Sequence, residues 1–175
     1  MQQLVECVPN FSEGRDAAKI NNIIASIEAV PGITLLDVDP GADTNRTVVT
    51  FVGTIDAVED AAFQAIKSAG EILNMRNHQG AHARMGATDV CPFIPVNNVS
   101  MDDCISLSKR VGKRVGKELS IPVYLYENSA QTPKRKNLAT IRSGEYEGLK
   151  DKLANPAWCP DFGPNKFHEQ AGATI

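Results

Sequence analysis

The residues best suited to chemistry gather in one stretch of ten: Asn77, His78, Gln79, Gly80, Ala81, His82, Ala83, Arg84, Met85 and Gly86. Two of the chain's three histidines lie here, beside an arginine and flanked by glycines. A histidine titrates close to neutral pH, so it can take up a proton and return it within one reaction. Glycine opens backbone conformations closed to other residues and lets the chain approach a ligand closely. The plain alternative is a polar surface loop. His78 and His82 are four apart, a spacing that on a helix would put both on one face and suit a metal. Gly80 between them and Gly86 after them argue against a helix, and no third ligand has fitting spacing. No metal is therefore expected.

Composition narrows the field. At 175 residues the chain is long enough for one domain with a substantial core. A net charge of -3 gives no electrostatic case for nucleic acid or an anionic membrane surface. No apolar run approaches a membrane span, and the N-terminus lacks a signal-peptide pattern. Cys7, Cys91, Cys104 and Cys159 show no CxxC spacing. They read as free thiols of a reduced, cytoplasmic protein, with Cys7 and Cys91 buried in apolar runs. The basic run Lys134, Arg135, Lys136 is either a solvated face or a dock for an acidic substrate tail.

The elements that must position the loop follow from patterning. Residues 4–8 read as a first strand, and Ser12 as the cap of a helix carrying Ala17, Ile20, Ile24 and Ile27 as far as Val30. Residues 33–39 and 46–52 read as two strands joined by a short turn, hence antiparallel. Asp37 and Asp39 share a face of the first, and Asp39 would face Arg46 if the register allows. Thr54 caps a second helix with a broad apolar stripe from Val58 to Leu73. Residues 87–96 form a fourth strand, placed at a sheet edge or made irregular by Pro92 and Pro95. Ser100 and Asp103 open a third helix that continues to Leu119. Residues 123–126 read as a fifth strand, 132–137 as a loop, 145–153 as a short helix and 156–172 as an extended tail. The order β-α-β-β-α-β followed by α-β predicts an α+β, ferredoxin-like split βαβ fold. It would be one domain over residues 1–175, with one mixed sheet and helices mainly on one face.

Several stretches together resemble the glutamate formimidoyltransferase family. They include Leu4 to Gly14 (LVECVPNFSEG), Leu35 to Asp39 (LLDVD), Asn45-Arg46-Thr47 and Thr50 to Gly53 (TFVG). They continue with His82 to Ala87 (HARMGA), Asp89 to Val96 (DVCPFIPV), Val123 to Tyr126 (VYLY), Ile141 to Glu147 (IRSGEYE) and Pro160 to Pro164 (PDFGP). The likeness covers essentially the whole chain. It implies transfer of a formimidoyl group from N-formimidoyl-L-glutamate to N5 of (poly)glutamylated tetrahydrofolate, a one-carbon step of histidine degradation. It implies that His82 is catalytic. It also implies that folate is held by Gly163, Pro164, Asn165, Lys166, Phe167, His168, Glu169, Gln170, Ala171 and Gly172. Where the family carries proline between the histidine and the arginine, this chain has Ala83. The family's unit has two similar subdomains with folate between them, and this sequence ends where the first gives way to the second. The expected partner is therefore a C-terminal subdomain supplied in trans, or a second copy of the chain.

The reaction is acyl transfer at an amidine carbon: N5 attacks and glutamate leaves as an amine. One imidazole can take the N5 proton and then protonate the leaving nitrogen, which assigns His82 as general base and acid. Asp39 either stabilises the amidinium or orients His82, or simply satisfies turn amides. Arg46 either grips a glutamate carboxylate or pairs with Asp39. His78 and Arg84 are supporting residues, and the run Lys134, Arg135, Lys136 together with Lys166 is a candidate for folate's acidic tail. Two other classes stay open: a non-catalytic module binding folate or an acidic metabolite, and a dimerisation unit.

Overall fold

A computed structural model describes residues 3–175 of the chain. The first segment is an interrupted strand, β1 (Leu4–Cys7) and β2 (Asn10–Phe11), broken at Val8 and Pro9. It leads to α1 (Ala17–Glu28), whose cap is Asp16: its carboxylate accepts from the amides of Ala18 and Lys19. Ser12, expected as the cap, instead donates its hydroxyl to the Gly86 carbonyl at 2.7 Å. Its own amide is held by Ala87. A long hairpin follows, β3 (Thr34–Gly41) and β4 (Arg46–Gly53), antiparallel as the short turn predicts. Its register sets Asp39 opposite Val48 and Arg46 opposite Gly41. Asp39 and Arg46 are therefore not a facing pair, because β3 runs two residues further than patterning shows.

Helix α2 (Ile55–Ile72) starts at Thr54 as expected and buries Val58, Ala61, Ala62, Ala65, Ile66 and Ala69. The expected fourth strand is two: β5 (Thr88–Val90) and β6 (Phe93–Asn97), separated at Cys91 and Pro92. Among the described residues β6 pairs only with β1 and is an edge, where Pro95 lacks a ladder donor at little cost. Helix α3 (Met101–Arg114) opens with a full Ser100–Asp103 capping box and runs into a π-helical turn, Val115–Leu119.

The sheet is antiparallel throughout its named strands, not mixed. β4 pairs with β3 on one side and with β1 and β2 on the other; β1 and β2 pair in turn with β6 and β5. Along β4, burial alternates: Thr47, Val49, Phe51 and Gly53 point inward, while Arg46, Val48, Thr50 and Val52 are only half-buried. The inward set joins Val5, Cys7 and Phe11 in one core with Ile23 and Ile27 of α1, the alanine stripe of α2, and Leu107 and Val111 of α3.

The last fifty residues depart most from expectation. Val123 is not in a strand; it makes isolated bridges to Phe162 and Thr174. A short helix α4 (Leu138–Arg142) was not expected, since five residues hold too little periodicity to read. The helix expected over residues 145–153 begins only at α5 (Leu149–Ala154). Gly144 (φ 87°) and Glu145 (φ 53°) occupy the left-handed region, which breaks the helix. Arg135 is no solvated cation. It is buried, paired with Asp161 at 2.8 Å, and donates to the carbonyl of Cys159. Lys134 is drawn onto the Trp158 ring, its Nζ 4.5 Å from the centroid. No helix among the described residues is long and apolar enough to cross a membrane.

Candidate active site

The β3–β4 turn and the histidine loop are fastened to each other by side-chain-to-backbone bonds and by the Ala81 amide, which donates to the Asp43 carbonyl at 3.4 Å. Asn45 takes the left-handed conformation (φ 48°) that asparagine tolerates better than most residues, and is buried. Its Oδ1 accepts from the Gly14 amide at 3.0 Å, and its Nδ2 donates to the Gln79 carbonyl at 2.9 Å. The His78 ring donates from Nε2 to the Asn45 carbonyl at 2.9 Å. Gly80 lies so close to the turn that a Cβ there would sit 2.2 Å from the Thr44 carbonyl oxygen. Only glycine permits that approach.

This seam sets His82 above Arg46, at the start of β4 and on the side of the sheet away from the core. The half-buried imidazole contacts an Arg46 Nη through Nε2 at 2.7 Å and Nδ1 at 3.2 Å, while Nδ1 lies 2.6 Å from the Ala83 carbonyl. A proton on Nδ1, donated to Ala83, leaves Nε2 to accept from the guanidinium, and this tautomer satisfies both short contacts. Burial, then the charge of Arg142, pushes the Arg46 guanidinium below its usual value; Asp89 and Asp39 pull the other way. Asp39 is exposed, on the same face of the hairpin as Arg46.

His78 and Arg84 have other work. The His78 Nδ1 accepts from Arg84 Nε at 3.0 Å, so both ring nitrogens are engaged. Burial pushes its pKa down. Arg84 is buried and spends its remaining donors on Glu145 (2.8 Å), on both carboxylate oxygens of Glu147 (2.6 and 2.9 Å) and on the His78 carbonyl (3.3 Å). Glu147 in turn is held below the usual carboxylate range by Arg84. Both residues brace the loop from beneath. Neither presents a donor to a ligand at His82.

The loop's far end is fixed by residues that patterning did not single out. Asp89, fully buried, accepts from the Met85 amide at 2.9 Å and is paired with Arg142. The tail docks on the same spot. Gly86 bridges Gly172, the Ala87 amide donates to the Ala171 carbonyl at 2.8 Å, and the Ala173 amide donates to that of Met85 at 3.1 Å. Within the expected folate segment, Gly163, Asn165, Lys166 and Glu169 are exposed and Pro164, Phe167, His168 and Gln170 half-buried, while Ala171 and Gly172 are buried. Phe167 packs on Tyr146, with centroids 5.2 Å apart. Glu169 pairs with Arg76 at 2.8 Å. Gln170 donates to the carbonyls of Gly70 and Glu71 at the end of α2. The His168 Nδ1 accepts from the Ala171 amide at 3.0 Å. The exposed ammonium of Lys166 suits an acidic tail; Gln170, Ala171 and Gly172 are committed to the fold.

Asn45, Asp89, Arg142, Glu145 and Glu147 are thus residues of the site's frame that sequence reasoning missed. The usable signals were an asparagine in a tight turn and two glutamates two apart after a glycine. Apart from Met85, which is four residues from Asp89, their partners lie 31 to 63 residues away along the chain, beyond local patterning.

The sequence matches the family model described as "Formiminotransferase domain, N-terminal subdomain" over residues 4–175. It is 53% identical over 175 residues to the formimidoyltransferase-cyclodeaminase of Dictyostelium discoideum, covering all of this chain and 33% of that protein. It is 47% identical over 174 residues to the glutamate formimidoyltransferase of Streptococcus pyogenes serotype M1, covering 99% of this chain and 58% of that one. The corresponding protein of Thermoplasma acidophilum is 49% identical over 174 residues, with 98% and 57% covered. The chain therefore spans between a third and three fifths of the length of these relatives.

Proposed function

Because this chain belongs to the formiminotransferase N-terminal subdomain family, we propose that it takes part in moving a formimidoyl group from N-formimidoyl-L-glutamate to N5 of tetrahydrofolate, with His82 handling the protons. The observation that carries the reading is His82 itself. Its Nδ1 is tied to the Ala83 carbonyl at 2.6 Å and its Nε2 turned outward onto Arg46 at 2.7 Å. A fixed tautomer with one basic nitrogen facing a helix-free sheet surface is what a proton shuttle needs.

In this reading Arg46 has two positions. With no substrate it donates to His82 Nε2 and masks the base. A carboxylate of the glutamyl donor attracts the guanidinium more strongly than a neutral imidazole does, since it carries a full opposite charge and accepts two parallel N–H bonds. Arg46 then grips the donor and frees Nε2. His82 accepts the proton lost from N5 and returns it to the departing nitrogen of glutamate. Such a shuttle contributes about 10²–10⁴-fold. The exposed carboxylate of Asp39, whose charge also reaches Arg46, favours the protonated formimidoyl group nearby. Tetrahydrofolate supplies the nucleophile, with Lys166 meeting its acidic tail and Gly163 to Phe167 its body.

The same reading takes the chain to be cytoplasmic, supported by four free cysteines. It takes the sheet as ferredoxin-like if β1 with β2, and β5 with β6, count as two interrupted strands. The expected partner is a second subdomain or a second copy of the chain.

Single-turnover formation of 5-formimidoyltetrahydrofolate by the purified chain, with and without an added C-terminal half, tests the proposal. Turnover lost in His82→Ala supports it; equal turnover in that variant overturns it. Folate binding with no turnover in either preparation would favour a binding module instead.

A further inference from the structure

Cys7 is the last residue of β1, and Cys91 lies at the break between β5 and β6. Both chains leave the ladder here; the Val8 amide donates to the Pro92 carbonyl at 3.3 Å and holds the two breaks side by side. The consequence is that two thiols meet, with Sγ atoms 3.6 Å apart. Their surroundings differ sharply. Cys7 is wholly buried in the main core, whereas Cys91 is half-buried and lines a cleft of about 200 Å³ with Phe93, Met101, Ser108 and Tyr126. Neither His82 nor Arg46 borders that cleft.

We infer that Cys7 and Cys91 are a redox-modification site, in which hydrogen peroxide entering the cleft oxidises Cys91 and Cys7 closes a disulfide onto it. The Cys91 sulfur attacks one peroxide oxygen, forming an S–O bond as the O–O bond breaks; the released hydroxide takes the thiol proton and leaves as water. The Cys7 sulfur then attacks that of Cys91. The S–S bond forms, the S–O bond breaks, and the hydroxyl departs with the Cys7 proton as a second water. Two thiols lose two electrons in all, and the peroxide gains them. A disulfide needs sulfurs at about 2.05 Å, so the pair must close by roughly 1.5 Å, within reach of side-chain rotation at a break between strands. Burial, then the neighbouring Cys91, pushes the Cys7 thiol up. Cys7 therefore suits the second role, attack on an activated neighbour at contact distance, rather than the first. Cys104 lines the same cleft and is the natural competitor.

The test is hydrogen peroxide added to the folded full chain, followed by alkylation of free thiols and peptide mapping under non-reducing conditions. Free thiols should fall from four to two, with a dithiothreitol-reversible peptide joining Cys7 to Cys91. Cys104→Ser should bridge at an unchanged rate. Cys91→Ser, a near-isosteric change at a half-buried position on the margin of the core, should retain all three remaining thiols at the same dose. A link from Cys7 or Cys91 to Cys104 or Cys159 instead would overturn the assignment. So would sulfinic acid at Cys91 with Cys7 still free, or no reaction in protein whose circular dichroism is native.

Discussion

At His78 both ring nitrogens are engaged, Nε2 donating to Asn45 and Nδ1 accepting from Arg84, whereas His82 has one nitrogen anchored and the other against a guanidinium that can move. The sequence shows two histidines in one glycine-rich loop. Which one is bound into the frame depends on Asn45 and Arg84, and on the glutamates that orient Arg84 from 61 and 63 residues further on. Two predictions belong at this scale. The first concerns pH. Burial lowers the folded-state pKa of His78 and of His168 below 6.5. Between that value and the lower folded one the unfolded chain binds more protons, so their contribution is full above about pH 6.5 and is lost as the pH falls. The melting temperature should therefore drop from about pH 7.5 to about 5.5, and His78→Gln should flatten part of the slope; an unchanged slope removes His78 from the account. The second concerns Arg84. Arg84→Met strands Glu145 and Glu147, and since both carboxylates are substantially exposed the loss should be about 1–3 kcal/mol in urea unfolding rather than the full cost of a buried pair. Arg84→Lys should recover less than half, because an ammonium cannot reproduce the planar fork that spans two carboxylates.

The elements were legible where local rules act alone. Thr54 and the Ser100–Asp103 box cap α2 and α3 as read, and the β3–β4 hairpin is antiparallel as its short turn requires. Long-range partners decided otherwise elsewhere. Ser12 is diverted from capping by Gly86, and the apolar run at residues 123–126 pairs with Phe162 and Thr174 instead of the sheet. The seam between the β3–β4 turn and the histidine loop is the element-scale determinant of the site. Gly80→Ala forces a Cβ toward a backbone oxygen that has nowhere to retreat. The loop should lift from the turn at a cost of about 1–3 kcal/mol. Amide exchange should quicken at residues 78–84 while α2, anchored in the core, stays protected. Equal protection in the variant would show that the seam does not hold the loop.

Taken whole, the molecule packs α1, α2 and α3 into one core and leaves part of the opposite sheet face uncovered. Arg46, Val48, Thr50 and Val52 lie along that face on β4, and Ile94 and Val96 alternate outward on the edge strand β6. Ile94 is 36% exposed and Val96 56%, on a sheet whose other face packs against the helices. Branched apolar side chains on an open sheet face and edge favour association. The proposed site lies on the same face, so whatever covers the sheet also walls in His82. On the proposed function, this geometry would tie activity to association. The chain alone should self-associate in sedimentation velocity, and the double variant Ile94→Asp, Val96→Asp should weaken that association at least tenfold. Because Ile94 is only 36% exposed and aspartate is disfavoured in a strand, unfolding should shift by about 1–2 kcal/mol, which leaves the chain folded. A chain that stays monomeric at high concentration, or a variant that associates as strongly, would show that this face does not bring subunits together. The site would then have to be enclosed from the loop side, across His82, and not across the sheet.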